Sequence, residues 1–432
     1  MLSRRELLAT TGSTLAAAAC SVPPRSTTSV TAAALSTWPK VREQFLLSRE
    51  YLHFSQFFLV SHPKTVRDAI ERYRRMLDDN PFLTMERTPE MKLRVRGAAA
   101  EYLGGKPEEV VLVDSTTQGL ALIYQGLRLR PDHEILTTIH DHYVTHEAIR
   151  LTTERSGASS RRIALYDAPH TATRDEMVDR LRRAIKPATR IVGVTWVHSS
   201  TGVKVPIREL ANVVADANRG RADADRVLLV VDGVHGFGNQ EPTVAELGCD
   251  FFAAGCHKWI FAPRGTGIAW ARPSNWALLR PTIPSWSSSE LHHAWEDGRS
   301  PSGPADATWI QPAGFKAYEH QWAMPEAFAF HRELGRGRVE ARIRDLNSQC
   351  KEGLAKIPGV TVHTPRDPSL SAGIVCFDVA GLLPKDVVKK LLEKKVVASE
   401  SPYKLSHVRL APSLVNDEAE VDMALRAVRA IA

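Results

Sequence analysis

The sequence predicts an α/β fold in which a large domain on a mainly parallel, seven-stranded sheet precedes a small α+β domain. Three observations carry that reading. Seven short β-rich runs alternate with amphipathic helical segments between residues 110 and 270, as in parallel sheets covered on both faces. Past about Pro304 the alternation gives way to long helical stretches and brief strands. The length, 432 residues, exceeds what one hydrophobic core usually organises.

Taken in chain order, residues 1–34 read as a leader and not as fold. Ser3, Arg4, Arg5, Glu6, Leu7 and Leu8 precede a mildly apolar stretch through Ala16 to Ala19, and small residues follow at Ala32 to Ala34. This is the shape of a twin-arginine export signal, too short and too polar to span a bilayer permanently. Cys20, directly after alanines, could become a lipidated N-terminus, although no Leu stands three residues before it. The seven runs are Val110–Asp114, Ile135–Ile139, Arg162–Tyr166, Ile191–Val197, Val227–Asp232, Phe251–Ala254 and Gly267–Trp270, with Glu176–Ile185 and Ile207–Ala217 as amphipathic helices between them. A segment rich in proline and serine, 281–314, connects the two parts over the surface. Then come one long helix from Pro325 to Ile357, strands at Val360–His363, Ile374–Asp378 and Val408–Leu410, a helix over Pro384–Lys394 and a final helix. The expected division is a leader at 1–34, an N-terminal arm and large domain at 35–303, and an interdomain helix with the small domain at 304–432.

Composition narrows the function. Apolar residues make up 43% and charged residues 24%, values that argue against disorder or a polytopic membrane protein. Net charge is +7, but 56 basic residues face 49 acidic ones without basic runs interleaved with aromatics, so nucleic acid is not an expected partner. Five cysteines without a CxxC pair exclude a disulfide scaffold and a structural zinc site, and no metal is expected.

Active sites of such sheets gather at the carboxyl ends of the strands, so the residues just after each run are the candidates. After Val113 come Asp114, Ser115, Thr116, Thr117, Gln118 and Gly119, hydroxyls entering a helix; they make a phosphate cup or simply a helix cap. The run ending in Asp232 is followed by Gly233, Val234 and His235, which puts a carboxylate and an imidazole at the sheet edge. A buried acid there needs a cationic partner to stay ionised cheaply, and a protonated pyridine nitrogen would serve. Lys258 stands in Gly255–Gly267, between a strand and a glycine-rich turn, where a desolvated amine could form a Schiff base.

Asp232 and His235, followed by His257, Lys258, Pro263, Gly265 and Gly267, carry a resemblance to the class V aminotransferases, fold-type I enzymes that use pyridoxal 5′-phosphate (PLP). The resemblance runs from about Tyr51 to the C-terminus, and Glu108–Gly157 and Gly314–Leu334 look closest to the isopenicillin N epimerase-like branch. It implies that Lys258 holds PLP and moves the proton at the substrate Cα, while Asp232 pairs with the pyridine nitrogen. It further implies that His235 bonds the ring oxygen, with Ser199 standing in for a family Asn nearby. Thr116, Thr117 and His257 would hold the phosphate, and His140 or His142 would stack on the ring. Tyr143 is an alternative acid near the substrate, and Arg409 would grip the substrate α-carboxylate. The chain departs from the family pattern at Gly255, which offers no side chain to the phosphate, and at Gly303-Pro304 in place of a Gly-Thr pair that reaches the neighbouring subunit.

PLP and fold do not name the reaction. A cysteine desulfurase needs a nucleophilic cysteine upstream of the carboxylate-gripping arginine, and Ser399–His407 has none. The first expectation is epimerase-like or aminotransferase-like handling of the amino-bearing carbon of an amino acid or amino-acid-containing metabolite. Alternatives are a C–S β-elimination lyase on a cysteine conjugate, an exported modifier of a siderophore or peptide side chain, and a PLP-binding protein without turnover. The expected partners are a small amino-acid-type substrate and the twin-arginine export machinery, with a homodimer by family analogy and a periplasmic or otherwise exported location.

Overall fold

The structure, a computed structural model, describes residues 32–432; all but the last three residues of the 1–34 leader, Cys20 included, lie outside the described residues. In chain order the strands are β1 (Leu52–His53), β2 (Val110–Val113), β3 (Glu134–Thr138), β4 (Ser159–Ile163), β5 (Thr189–Thr195), β6 (Leu228–Asp232), β7 (Phe251–Gly255), β8 (Gly267–Ala271), β9 (Val360–Val362), β10 (Val375–Val379), β11 (Val396–Val397), β12 (Ser399–Glu400) and β13 (Val408–Leu410).

Strands β2 to β8 form one sheet in the order β2-β8-β7-β6-β5-β3-β4, which matches the seven runs read from the sequence except that the third lies earlier than expected, at Ser159–Ile163 and not Arg162–Tyr166. Every residue of β2, β3, β5, β6, β7 and β8 is buried, because helices cover both faces; only the edge strand β4 meets solvent. Six strands run one way and β8 runs against them, pairing antiparallel with both β2 and β7. The reason is local. Only the loop 256–266 joins β7 to β8, with no crossover helix, so the chain can only fold back. At the other edge, the buried side-chain amide of Gln311 imitates a strand: its Oε1 accepts from Leu112 N at 2.8 Å and its Nε2 donates to Leu112 O at 2.7 Å. The pairing edge of β2 is thereby closed.

The second sheet, β12-β13-β10-β9, is antiparallel. Its Val375, Phe377, Val408 and Leu410 pack on Leu346, Leu391 and Val428 of the covering helices. Two expectations change here. The single helix from Pro325 to Ile357 is two, Met324–Leu334 and Arg336–Ala355, broken at Gly335, whose φ of +82° suits glycine and disfavours residues with a Cβ. The arm assigned with the large domain also reaches the C-terminal part: β1 pairs parallel with β11 in a separate two-stranded sheet, and Ala411 N donates to Phe54 O at 2.8 Å. Among the described residues no helix is long and apolar enough to cross a membrane.

Candidate active site

The carboxyl ends of β2, β3, β5, β6 and β7 converge on Lys258, in the loop that turns β7 into β8. That loop folds back on itself, with Phe261 N donating to Lys258 O and Ala262 N to Cys256 O, each at 3.0 Å. Phe261 adopts a left-handed φ of +58°, unusual for an aromatic residue, and its buried ring packs edge-on against Phe45 at 5.1 Å. The strain fixes where Lys258 emerges.

Lys258 Nζ lies 3.3 Å from Nε2 of the buried His235. The indole Nε1–H of Trp259 donates to the other ring nitrogen, His235 Nδ1, at 3.3 Å. Because indole can only donate, Nδ1 is bare and the proton of a neutral ring sits on Nε2. Burial holds His235 well below the usual imidazole range, helped by Lys258 and Arg409, so neutral is its state. Asp232, 3% exposed at the end of β6, accepts a hydrogen bond from Val234 N at 3.0 Å and makes no ion pair among the described residues. Burial raises its carboxyl above the ordinary range, and burial lowers the Lys258 amine against the pull of Asp232.

At the far end of this cleft the helix Thr116–Gly126 starts, capped by Ser115, whose hydroxyl accepts from Gln118 N at 3.2 Å. The buried Thr116 Oγ1 accepts from Gly255 N at 2.7 Å and keeps its own proton to donate. Nδ1 of His257 is buried there with no partner. A Cβ on Gly255 would come within 2.8 Å of the His257 ring and 3.2 Å of Thr116 Oγ1, which explains glycine where the family pattern has a side chain. Thr117 is exposed at the same helix start. Free helix N–H groups, a hydroxyl proton and an orphaned imidazole nitrogen suit a phosphate.

The two histidines after β3 separate. His140 lies flat on Tyr166 (3.9 Å, 12°), and its Nε2 accepts from Leu165 N at 3.2 Å. His142 caps the helix Tyr143–Ser156 and stands edge-on to Tyr403 at 5.9 Å, and burial together with the charges of Lys258 and Arg409 lowers its imidazole. Between them stands Asp141, which the strand-end reading passed over. It is 2% exposed; Oδ2 accepts from Thr137 Oγ1, Thr138 N and Thr138 Oγ1 at 2.7–2.8 Å, and Oδ1 accepts from Thr195 N at 2.8 Å. This carboxylate ties the end of β3 to the end of β5. Tyr143 does not join the cluster: it is 67% exposed.

Arg409, on β13, is 6% exposed, and its guanidinium lies 4.8 Å from the centre of the Phe57 ring. Nε donates to Ser399 Oγ (3.3 Å), Nη1 to Ser199 O (3.2 Å) and Nη2 to Glu400 O (2.7 Å). One N–H on each Nη is left, the pair that a carboxylate takes bidentately. No acidic side chain pairs with Arg409 among the described residues, so the cation is buried without an anion. The hydroxyl of Ser199 meets that of Tyr403 at 2.8 Å, and Tyr403 stands edge-on to His142 at 5.9 Å. Cys249, Cys256, Cys350 and Cys376 are all buried, and burial raises their thiols, to about 12 at Cys376. His363, Asp378 and His407 group within metal-ligand distance of one another, but hydrogen bonds of 2.7 and 3.0 Å from both imidazoles to Asp378 account for the group.

This set fits PLP: an acid for the pyridine nitrogen, an imidazole N–H beside the amine, and a phosphate cup. Residues 62–403 match the family model for aminotransferase class-V. Isopenicillin N epimerase of Streptomyces clavuligerus is 27% identical over 413 residues, 92% of this chain and 99% of that protein. A probable cysteine desulfurase of Xylella fastidiosa is 26% identical over 387 residues, 86% of this chain and 87% of that protein. Among solved structures, a cystine C-S lyase in complex with its product cysteine persulfide aligns with a TM-score of 0.78 at 21% identity, covering 88% of this chain and 98% of that one. The apo cysteine desulfurase of Thermococcus onnurineus aligns with a TM-score of 0.77 at 20% identity, covering 91% and 97%. These two likenesses concern the fold.

Proposed function

The chain belongs to the aminotransferase class-V family and is a PLP-dependent enzyme, and from that premise we propose that it works at the α-carbon of an amino acid or amino-acid-containing metabolite, epimerase-like in outcome. The observation that carries the reading is Arg409, a buried cation with two unused N–H groups and no ion-pair partner among the described residues, close enough to Lys258 and His142 for their charges to interact. A substrate carboxylate supplies the missing charge and places its α-carbon, one bond away, inside the cleft.

Bound PLP supplies the electron sink that makes the α-proton acidic. Lys258, its amine lowered by burial, holds the cofactor and then takes that proton. Asp232 would pair with the pyridine nitrogen of the cofactor, and its raised carboxyl reflects burial without an ion-pair partner. His235 would offer Nε2–H to the ring oxygen of the cofactor, Thr116 and His257 would hold its phosphate, and His142 would cover its ring. Epimerisation is favoured over desulfuration because the cysteines among the described residues are buried, and because the segment 399–407 before Arg409 carries no cysteine. The 27% identity with an isopenicillin N epimerase supports the same direction. We further propose that the 1–34 leader exports the folded holoenzyme and that the enzyme is a homodimer covering the exposed Trp286, Trp295 and Phe315.

The test incubates holoenzyme with L-alanine, L-glutamate, L-cysteine and S-methyl-L-cysteine, with and without a keto acid, and follows chirality, keto acid and pyruvate. Loss of chirality without either product is expected. Pyruvate release from the sulfur amino acids alone would make the enzyme a lyase, and a strict keto-acid requirement would make it a transferase.

A further inference from the structure

Inverting a carbon centre requires a proton to leave one face and another to arrive on the opposite face, and Lys258 is a single group on a single wall. The candidate for the other wall comes from the small sheet. The loop between β12 and β13 is closed by Ser401 N to His407 O and by His407 N to Ser401 Oγ, each at 2.9 Å. Its base is pinned by His407 Nδ1, 3.0 Å from Asp378, which also holds His363 Nε2 at 2.7 Å. Tyr403 projects from this braced loop. Its hydroxyl meets Ser199 Oγ at 2.8 Å, and Ser199 also accepts from Arg409 through its backbone oxygen.

The two walls are distinct. Lys258 comes from the loop after β7 and leans on His235; Tyr403 comes from the loop before β13 and leans on Ser199 and the edge of His142. Through Ser199, Tyr403 is tied to Arg409, the residue proposed to hold the substrate carboxylate.

We propose that Tyr403 is the second proton-transfer residue, delivering its phenolic proton to the substrate α-carbon on the face opposite Lys258; this rests on the epimerase reading above. In one turnover the Cα–H bond breaks, its proton goes to the Lys258 amine and its electron pair stays with the carbon and the cofactor ring. A new bond forms between that carbon and the proton of Tyr403 Oη. Solvent resets both groups, removing a proton from Lys258 and returning one to Tyr403 through Ser199. Burial raises the Tyr403 phenol, which keeps the proton in place between turnovers. The opposite substrate enantiomer reacts by the reverse steps from the state the forward turnover leaves before solvent resets it, with Lys258 protonated and Tyr403 as the phenolate.

The test uses Tyr403→Phe holoenzyme in D2O with one pure L-amino acid of the panel, read by chiral chromatography and mass spectrometry. Epimerisation is expected to fall at least ~100-fold, while the recovered L-substrate still takes up α-deuterium through Lys258 and the yellow absorbance of bound PLP is unchanged. Wild-type rates of epimerisation in the variant would overturn the assignment. So would loss of deuterium exchange together with epimerisation at unchanged absorbance, which would make Tyr403 a binding residue. If wild-type enzyme exchanges the α-proton but never inverts it, the epimerase reading itself is wrong, and the second-residue role falls with it.

Discussion

The indole of Trp259 donates to Nδ1 of His235 across 3.3 Å, so the residue after the cofactor lysine sets the tautomer of the imidazole beside that lysine. Trp259 touches no reacting atom and is a positioning residue. Trp259→Phe should keep the ring packing against Phe57 (6.3 Å, stacked) and remove only the N–H. Nδ1 is then free to take the proton, which turns a bare nitrogen toward Lys258. A lost hydrogen bond of about 1 kcal/mol corresponds to roughly fivefold in turnover. The readout that mere packing would not move is the 15N shift of the His235 ring: wild type should show an unprotonated Nδ1, the variant a mixture. An unchanged shift would remove Trp259 from the site's chemistry.

Asp232 allows a prediction of sign. Its folded carboxyl lies above its unfolded value because of burial, so its contribution to apoprotein stability is full below the ordinary aspartate range and is lost as pH rises through the folded value. Asp232→Asn keeps an oxygen for Val234 N–H and removes that loss. The variant apoprotein should melt above wild type near pH 8, and the gap should close toward ~pH 4. In the holoenzyme the same change leaves the pyridine nitrogen without its acid, and turnover should fall at least ~100-fold with PLP still bound. A variant that melts lower than wild type at pH 8 would mean that the carboxylate is compensated in the folded protein.

What was legible in the sequence, and what was not, divides along physical lines. Six strands of the large sheet announce themselves because strands buried on both faces need largely apolar runs, such as Val110–Val113 and Leu228–Val231, whereas the polar edge strand β4, Ser159–Ile163, carries no such run. Asp232 and Lys258 were legible because they follow such runs directly. The helix break at Gly335 had a signal, two glycines at 335 and 337, that the apolar periodicity on either side outweighed. β1 and β11 are two residues each, too short for any period. Tyr403 could not be read, since a lone tyrosine in a loop gains meaning only when another strand end brings Ser199 and Arg409 to it. Tyr143, adjacent to the histidines in sequence, was the nearer choice, but as the first residue of its helix it is two-thirds exposed. Asp141 carried a signal of its own, a carboxylate just after Thr137 and Thr138 and between two candidate histidines.

That carboxylate yields the last prediction. Four donors converge on Asp141, two of them backbone N–H groups, at Thr138 and Thr195, that have no water to turn to. Asp141→Ala orphans both, each at about 1–3 kcal/mol, so the loss in unfolding free energy should be at least about 2 kcal/mol. Asp141→Asn can keep an acceptor on the Oδ2 side while turning its NH2 toward Thr195 N–H, so it should fall between Ala and wild type. The threonine hydroxyls can rotate and recover part of either loss, which the backbone groups cannot. The two variants also separate structure from charge: Asp141 raises the carboxyl of Asp232, so removing its charge in either variant should move the pH at which the apoprotein loses stability downward. Melting curves of wild type, Asn and Ala apoproteins between pH 4 and 8 at one scan rate read both effects. Three coincident curves would show that the ends of β3 and β5 are held together by the sheet alone.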